Sequence, residues 1–488
     1  MNISQAKEEI KNTVLAYTAK NEGGTYRIPP ARQRPVLLMG PPGIGKTAIM
    51  EQIAGELAIG LVSYTMTHHT RQSALGLPMI EKRVFAGETR AVTEYTMSEI
   101  IASVYRQIEE AGFREGILFL DEINCVSETL MPAMLGFLQY KTFGGHKLPQ
   151  GWIVAAAGNP VQYNRSARDF DTVTLDRLKV IPVEIDFEAW KGYAQSRNLH
   201  PLIRSYLNLK SEHLYAAETG PRGSGFVTPR GWEDLSEMIL AFEALGFPAG
   251  EGLFRQYLQH DEIARDFALF FELNRSLKEQ YRIDRIPETG TPIPELREAR
   301  FDQRLCVVQF LLHRLNTFAA EWSDHAALQQ SLEYFIDGLP ANPADAAGFA
   351  AGRIRAREKA LETKRSFDLL QSGEEEAEVR FIRLVKTCLT RIQSENPEDP
   401  PDRFRELAAR EGAKTDRLGQ TLEGAIRNCF NFVNALFGKS QELVIFLTEL
   451  RSFDPARRFI ETRMGDLWEQ SKTALDLKSR EEELRARL

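Results

Sequence analysis

Apolar positions along this chain fall into three patterns. Unbroken runs appear at Pro35-Val36-Leu37-Leu38-Met39, Gly116–Leu120 and Trp152–Ala157, and Leu61–Thr65 reads as a further strand. Such runs suit short strands buried on both faces of a parallel sheet. Helical spacing separates them. Ile10, Val14 and Tyr17 share one face after a candidate cap at Ser4, and Ile100, Ile101, Val104, Tyr105 and Ile108 share another after Ser98. Met131, Met134, Leu135 and Leu138 form a third stripe. Strict alternation holds only from Met79 to Thr96, where a turn at Ala86-Gly87-Glu88 predicts a β-hairpin. Gly144-Gly145 predicts a second one. Strands alternating with helices define an α/β core over residues 1–186. The proline- and glycine-rich stretch 21–35 reads as a loop that approaches the first core strand.

Past residue 186 the strand pattern stops. Helical stretches at 190–197, 201–207, 231–245 and 253–277 predict a small helical domain over 187–283. IPETGTPIPE, from Ile286 to Glu295, reads as a linker. Residues 296–488 are all-helical in pattern, with helices expected over Phe301–Phe318 and Leu328–Leu339 and a charged end, SREEELRARL.

Composition narrows the class. Hydrophobic residues at 43% and charged residues at 26% describe a globular protein. A net charge of −7 argues against a protein that coats nucleic acid. The basic run from Arg353 to Arg365 is interleaved with Glu358 and Glu362, as on an exposed helix face. Four scattered cysteines form no CxxC pair, so neither a zinc site nor a disulfide framework is suggested. With acids at the start and no apolar run of about 18 residues, the expectation is a cytoplasmic protein that does not enter the membrane.

The decisive chemistry is GPPGIGKT, which sits between an apolar run and a helix. That context is what the GxxxxGK[ST] phosphate loop requires. Gly40, Pro41, Pro42, Gly43, Ile44, Gly45, Lys46, Thr47 and Ala48 would form the loop around the phosphates, with the backbone N–H groups of its non-proline residues cradling them at a helix N-terminus. Lys46 would reach the β- and γ-phosphates of ATP, and Thr47 would offer its hydroxyl to Mg²⁺. In GILFLDEIN, Asp121 and Glu122 arrive at the carboxyl end of a buried strand, where open α/β sheets bind ligands. Asp121 suits a Mg²⁺ contact, and Glu122 suits a base that polarises the attacking water. Taken alone, the pair would read as an ordinary helix cap. Asn159 ends the next strand and could hold a water or a γ-phosphate oxygen. Cys125 reads as a small buried residue. The adjacent His68 and His69 read as polar loop residues, because neighbours in sequence point different ways.

Together these motifs resemble the AAA+ ATPases, and most closely their MoxR group, over residues 35–241. The phosphate loop and ILFLDEIN match the Walker A and Walker B patterns, and GNP puts Asn159 at sensor 1. The hairpin introduced by LGLP and the one carrying LPQGW point to the MoxR group. The resemblance implies an AAA+ P-loop core with a parallel sheet, a small helical lid and an all-helical C-terminal domain. It implies that Arg177, in TLDRLKV, is an arginine finger acting on a neighbouring subunit. Leu178 stands there in place of the usual Phe, and Arg165 and Arg168 are rivals for the role. Arg230 takes the sensor 2 position, with Arg222 its nearest competitor. A ring, by resemblance a hexamer, is implied, together with a partner protein carrying a von Willebrand factor A domain. The function expected is ATP-driven remodelling of a partner. A nucleic-acid motor or restriction-type NTPase and a nucleotide-gated scaffold are the alternatives.

Overall fold

The computed structural model describes residues 1–465 except 165, 221, 222, 341, 342, 367–371, 396–399 and 439. Arg165, Arg222 and the terminal SREEELRARL therefore lie outside the described residues. The chain divides into two compact units. The first is Met1–Ala189 with Thr228–Arg230 and a stretch of helix beginning at Thr363. The second holds Trp190–Val227, Gly231–Glu362 and the later helices.

The first unit is built on a five-stranded parallel sheet. Its elements begin with α1 (Ile3–Thr18), β1 (Val36–Met39), α2 (Lys46–Leu57), β2 (Gly60–Thr65) and a short α3 (Arg71–Leu75). Next come the hairpin strands β3 (Pro78–Phe85) and β4 (Glu88–Tyr95), then α4 (Glu99–Glu110), β5 (Gly116–Asp121) and α5 (Met131–Tyr140). A two-residue hairpin, β6 (Thr142–Phe143) and β7 (His146–Lys147), precedes β8 (Trp152–Gly158), α6 (Thr172–Leu175) and β9 (Lys179–Pro182). The sheet order is β2-β5-β8-β1-β9, so β8 runs between the strands that carry the two phosphate motifs. Ile117 to Leu120 have no solvent exposure, and all of β8 is buried, as continuous apolar runs require. Val36, Leu38, Phe119 and Ile181 pack on one face with α1 and α2. Leu37, Leu118, Leu120 and Val154 pack on the other with α4 and α5.

The cap of α1 falls at Asn2, not Ser4. Asn2 Oδ1 accepts from Gln5 N–H at 2.9 Å, and the Gln5 side chain returns the bond to Asn2 N–H at 3.1 Å. The β3–β4 hairpin stands off the sheet, and its turn falls at Ala86-Gly87. Its two faces differ. Arg83 pairs with Glu94 at 2.7 Å and Arg90 with Glu88 at 3.0 Å on one face, while Ile80 and Val84 are 80% and 68% exposed on the other. The second hairpin braces its base, with the His146 ring Nε2 2.9 Å from the Tyr95 carbonyl.

The second unit is helical apart from one hairpin, β10 (Ala216–Gly220) and β11 (Gly223–Val227). It contains α7 (Phe187–Ser196, entered from the first unit), α8 (Pro201–Leu209), α9 (Pro229–Leu245), α10 (Glu251–Tyr257), α11 (Asp261–Gln280) and α12 (Ile286–Thr289). α13 (Phe301–Asp337), α14 (Pro343–Ser366), α15 (Ser372–Glu395), α16 (Pro400–Phe437), α17 (Gln441–Ser452) and α18 (Asp454–Arg463) follow. The stretch expected to be a linker is packed instead. Ile286 and Pro287 are buried in α12, and Asn428 of α16 donates to the Pro287 and Glu288 carbonyls at 3.0 Å each. Two expected helices within 301–339 are one, because no glycine or proline interrupts Phe301–Asp337. The fold is thus a parallel α/β core followed by a helical region. Among the described residues, no helix is long and apolar enough to cross a membrane.

Candidate phosphate site

The phosphate loop turns from β1 into α2 through backbone that only glycine adopts easily. Gly43 has φ 73° and Gly45 has φ 96°. A Cβ on Gly43 would also meet the Thr228 side chain at 2.8 Å. Gly45 caps α2 without any side-chain acceptor, so the first-turn N–H groups of α2 face outward to whatever the loop encloses. Lys46 is only 7% exposed, and its Nζ donates to the Gly40 carbonyl at 2.8 Å, to the Pro41 carbonyl at 2.7 Å and to Asn159 Oδ1 at 2.9 Å. Burial lowers its pKa to about 8, against the attraction of Asp121.

Three strand ends complete the arrangement. Thr47 Oγ1 donates to Asp121 Oδ2 at 2.8 Å, which joins the α2 start to the end of β5. Asp121 Oδ1 accepts from the Glu122 N–H at 2.8 Å. Glu122 sits at φ 54° and ψ 35°, a conformation uncommon for a residue with a side chain and often found at functional sites. Its Oε2 accepts from Thr67 Oγ1 at 3.0 Å, from the turn just past β2. A paired hydroxyl and carboxylate beside a phosphate loop form an all-oxygen donor set that fits Mg²⁺. Lys46 and the open helix N-terminus fit a nucleotide polyphosphate.

Asn124 was not singled out by the sequence, yet it ties these strands together. It is fully buried. Its Nδ2 donates to the Asn159 carbonyl at 2.8 Å and to the Arg168 carbonyl at 3.2 Å, and its Oδ1 accepts from Asn159 N–H at 3.2 Å. Thr67 was missed as well. Neither has a local signal, because their partners lie 35 to 55 residues away.

The arginines separate. Arg230 is the second residue of α9, and its N–H donates to the Gly43 carbonyl at 3.2 Å, so it lies at the phosphate loop, where its charge also lowers the Lys46 pKa. Arg168 pairs with Glu128 at 2.8 Å. Arg177 precedes β9 and donates to Gln139 at the end of α5. Because β9 runs parallel to β1, Arg177 lies at the amino edge of the sheet. That edge is on the order of 13 Å of strand away from the phosphate loop, at about 3.3 Å per residue. The approach loop lies at that same far edge, since Pro35 O accepts from Lys179 N–H and Pro30 O from Lys141 Nζ. Beside the phosphate loop stands the start of α1 instead, where a Cβ on Gly45 would come within 4.0 Å of Ile3. His69 Nδ1 contacts Ser73 at 3.2 Å, and His68 is exposed. Burial raises the Cys125 thiol, so it is a poor nucleophile.

A parallel α/β sheet with this loop at its carboxyl edge defines a P-loop nucleotide-binding core. More narrowly, residues 36–164 match the family model described as "ATPase family associated with various cellular activities (AAA)", and this segment is an AAA ATPase domain. The match runs from the first residue of β1 to just past Asn159 and leaves Arg177 and Arg230 outside. Domains of this family generally use ATP with Mg²⁺. No curated protein matches the sequence. Among solved structures, the chain is similar to a proline-to-glycine mutant of Thermotoga maritima RuvB. The identity is 16%, with 59% of this chain and 79% of that one covered, and the TM-score is 0.31.

Proposed function

We propose that the chain is a MoxR-like AAA+ ATPase, which assembles into a ring and couples ATP hydrolysis to remodelling of a partner protein. The observation that supports this most is the separation of parts. Lys46, Thr47, Asp121, Glu122 and Asn159 converge at one edge of the sheet, while Arg177 stands at the other.

The N–H groups of the loop and Lys46 Nζ bind the β- and γ-phosphates, with Lys46 exchanging the Gly40 and Pro41 carbonyls for phosphate oxygens. Thr47 and Asp121 would hold Mg²⁺, which would supply charge neutralisation for the phosphates when bound. Glu122 takes the proton from the attacking water, and Thr67 holds its carboxylate in place. Asn159 orients the water or the γ-phosphate, and Arg230 reaches over the phosphates from the start of α9. A neighbouring copy contributes Arg177 to the developing charge, a role worth roughly 10³–10⁵ in rate. The ring follows from that shared site, with six copies by resemblance. The apolar face of the β3–β4 hairpin is the surface offered to a client. A protein with a von Willebrand factor A domain is the partner class that the resemblance implies.

Glu122→Gln should bind ATP and assemble while losing on the order of 10²–10⁴ in turnover; full turnover would remove Glu122 as the base. Arg177→Ala should lose turnover in pure rings and recover part of it when mixed with Glu122→Gln. No recovery in mixed rings would count against action in trans.

A further inference from the structure

The β3–β4 hairpin is a sheet of two strands, so each strand has one row of backbone groups turned away from the other. Ala86 and Gly87 form a two-residue turn with φ 52° and 88°, which makes Phe85 and Glu88 a hydrogen-bonded pair. Such pairs then alternate down the ladder, through Arg83–Arg90, Glu81–Val92 and Met79–Glu94. The N–H and C=O groups of Thr89, Ala91, Thr93 and Tyr95 therefore point outward from β4. The Tyr95 carbonyl shows that direction, since it meets the His146 ring at the hairpin base. Thr89, Ala91 and Thr93 are exposed, and among the described residues no third strand pairs with them.

The two edges differ in what guards them. The outward row of β3 contains Pro78, which has no N–H, and Lys82, both of which discourage another strand. Between 89 and 93 the row of β4 holds neither proline nor charge. An open edge of this kind is a template for an added strand. Charge selects the strand that fits. On the polar face Arg83 and Arg90 stand directly opposite, an unfavourable like-charge pair. Arg83 takes Glu94 at 2.7 Å and Glu81 at 3.4 Å, whereas Arg90 takes Glu88 of its own strand, with side chains 67% and 73% exposed. A second β4 laid antiparallel about Val92 sets Arg90 opposite Glu94 of the other copy, and Glu94 opposite its Arg90. Ala91 and Thr93 then exchange the backbone bonds. A shift of the register by two residues puts Glu88 against Glu94, or Glu94 against Val92, and loses both ion pairs. The matching arrangement on β3, with Glu81 opposite Arg83, forces Lys82 against Lys82.

We propose that the outer edge of β4 is a pairing surface for a second copy of this chain, antiparallel about Val92, which joins two hairpins into one four-stranded sheet. The contact is two-fold, so it lies outside a head-to-tail ring and joins copies from different rings. It also extends the apolar face of Ile80, Val84 and Ala91 across both copies. The pairing does not depend on the chain being an ATPase.

The register supplies the test. In full-length Val92→Cys, the two thiols would face each other as a non-hydrogen-bonded pair, with Cα atoms about 4.5 Å apart and within disulfide reach. Thr89→Cys is the control, because its counterpart would stand roughly 20 Å away along the strand. Both variants keep the native cysteines, of which Cys306, Cys388 and Cys429 are buried. Mild oxidation should join Val92→Cys into a covalent dimer at least about tenfold faster than Thr89→Cys. Adding Arg90→Glu should slow that joining about tenfold, and adding Glu94→Arg as well should restore it. Equal rates for the two cysteine variants, or no restoration, overturns the proposal. In the wild type, the Ala91 and Thr93 amides should exchange more slowly as protein concentration rises. Exchange independent of concentration overturns it with no variant involved. Protection that appears only when another protein is added, without the Val92→Cys dimer, assigns the edge to a partner's strand and overturns pairing between copies.

Discussion

Asn124 shows how far one buried carboxamide can set a site. Its three hydrogen bonds fix the end of β8 against the turn after β5, and Asn159 is the residue they hold. Asn124→Ala should lower the single-turnover hydrolysis rate at least about tenfold while the affinity for a fluorescent ATP analogue stays within about threefold; equal losses in both would make the role merely structural. Lys46 supports a prediction of a different kind. Its pKa falls from 10.5 to about 8 in the folded protein, so the unfolded chain binds more protons between those values. Wild type should therefore gain stability relative to Lys46→Met as pH rises from about 8 toward 10.5, by on the order of 3 kcal/mol in all. Denaturant unfolding of both proteins across that range checks the sign. The phosphate-loop residues were legible because one short motif carries its own local geometry. Asn124 and Thr67 were not, since what they do depends on strands brought together from elsewhere in the chain.

Among the elements, the β3–β4 hairpin was readable from alternation alone, down to its turn. Period-2 patterning reports a strand's two faces directly. Its base is more constrained than its tip: a Cβ on Gly76 would fall 1.9 Å from the Thr96 carbonyl oxygen. Replacing residues 81–93 with a short Gly-Ser turn should leave the melting temperature within about 2 °C, because the removed side chains are largely exposed. Basal ATP turnover should persist. Gly76→Val should instead lower the melting temperature, since the clash is with backbone. Helix boundaries were less legible. The stretch read as one helix over 253–277 breaks at Leu258–His260, where the His260 ring caps Ile263 N–H and Gln259 pairs with Phe226. The capping signal, a histidine followed by two acids, was present but sits inside an unbroken apolar period.

For the whole molecule, the buried Arg204–Glu449 pair is the most telling feature. Arg204→Met alone leaves a carboxylate buried and should destabilise the second unit by roughly 3–5 kcal/mol in chemical unfolding. Replacing Arg204, Gln309 and Glu449 together with Met, Leu and Leu should recover most of that loss. A single variant as stable as wild type would mean that the pair is already hydrated in the folded protein. Nothing in the sequence marks these residues, because an arginine in α8 and a glutamate 245 positions later look like ordinary surface charges until the helices pack.

The sequence by itself determined the local things: a parallel α/β core, the loop that binds phosphate, the acids at a strand end, and a helical remainder. Each follows from periodicity or from a motif whose geometry is short-range. Only the tertiary structure decided which strands are neighbours, and so which side chains meet. It put β8 between β1 and β5, and with it Asn159 on Lys46. It put Arg177 and the approach loop at the amino edge, and sank a charged pair among the packed helices of the second unit. Those outcomes depend on contacts between residues far apart in the chain, which local sequence pattern does not encode.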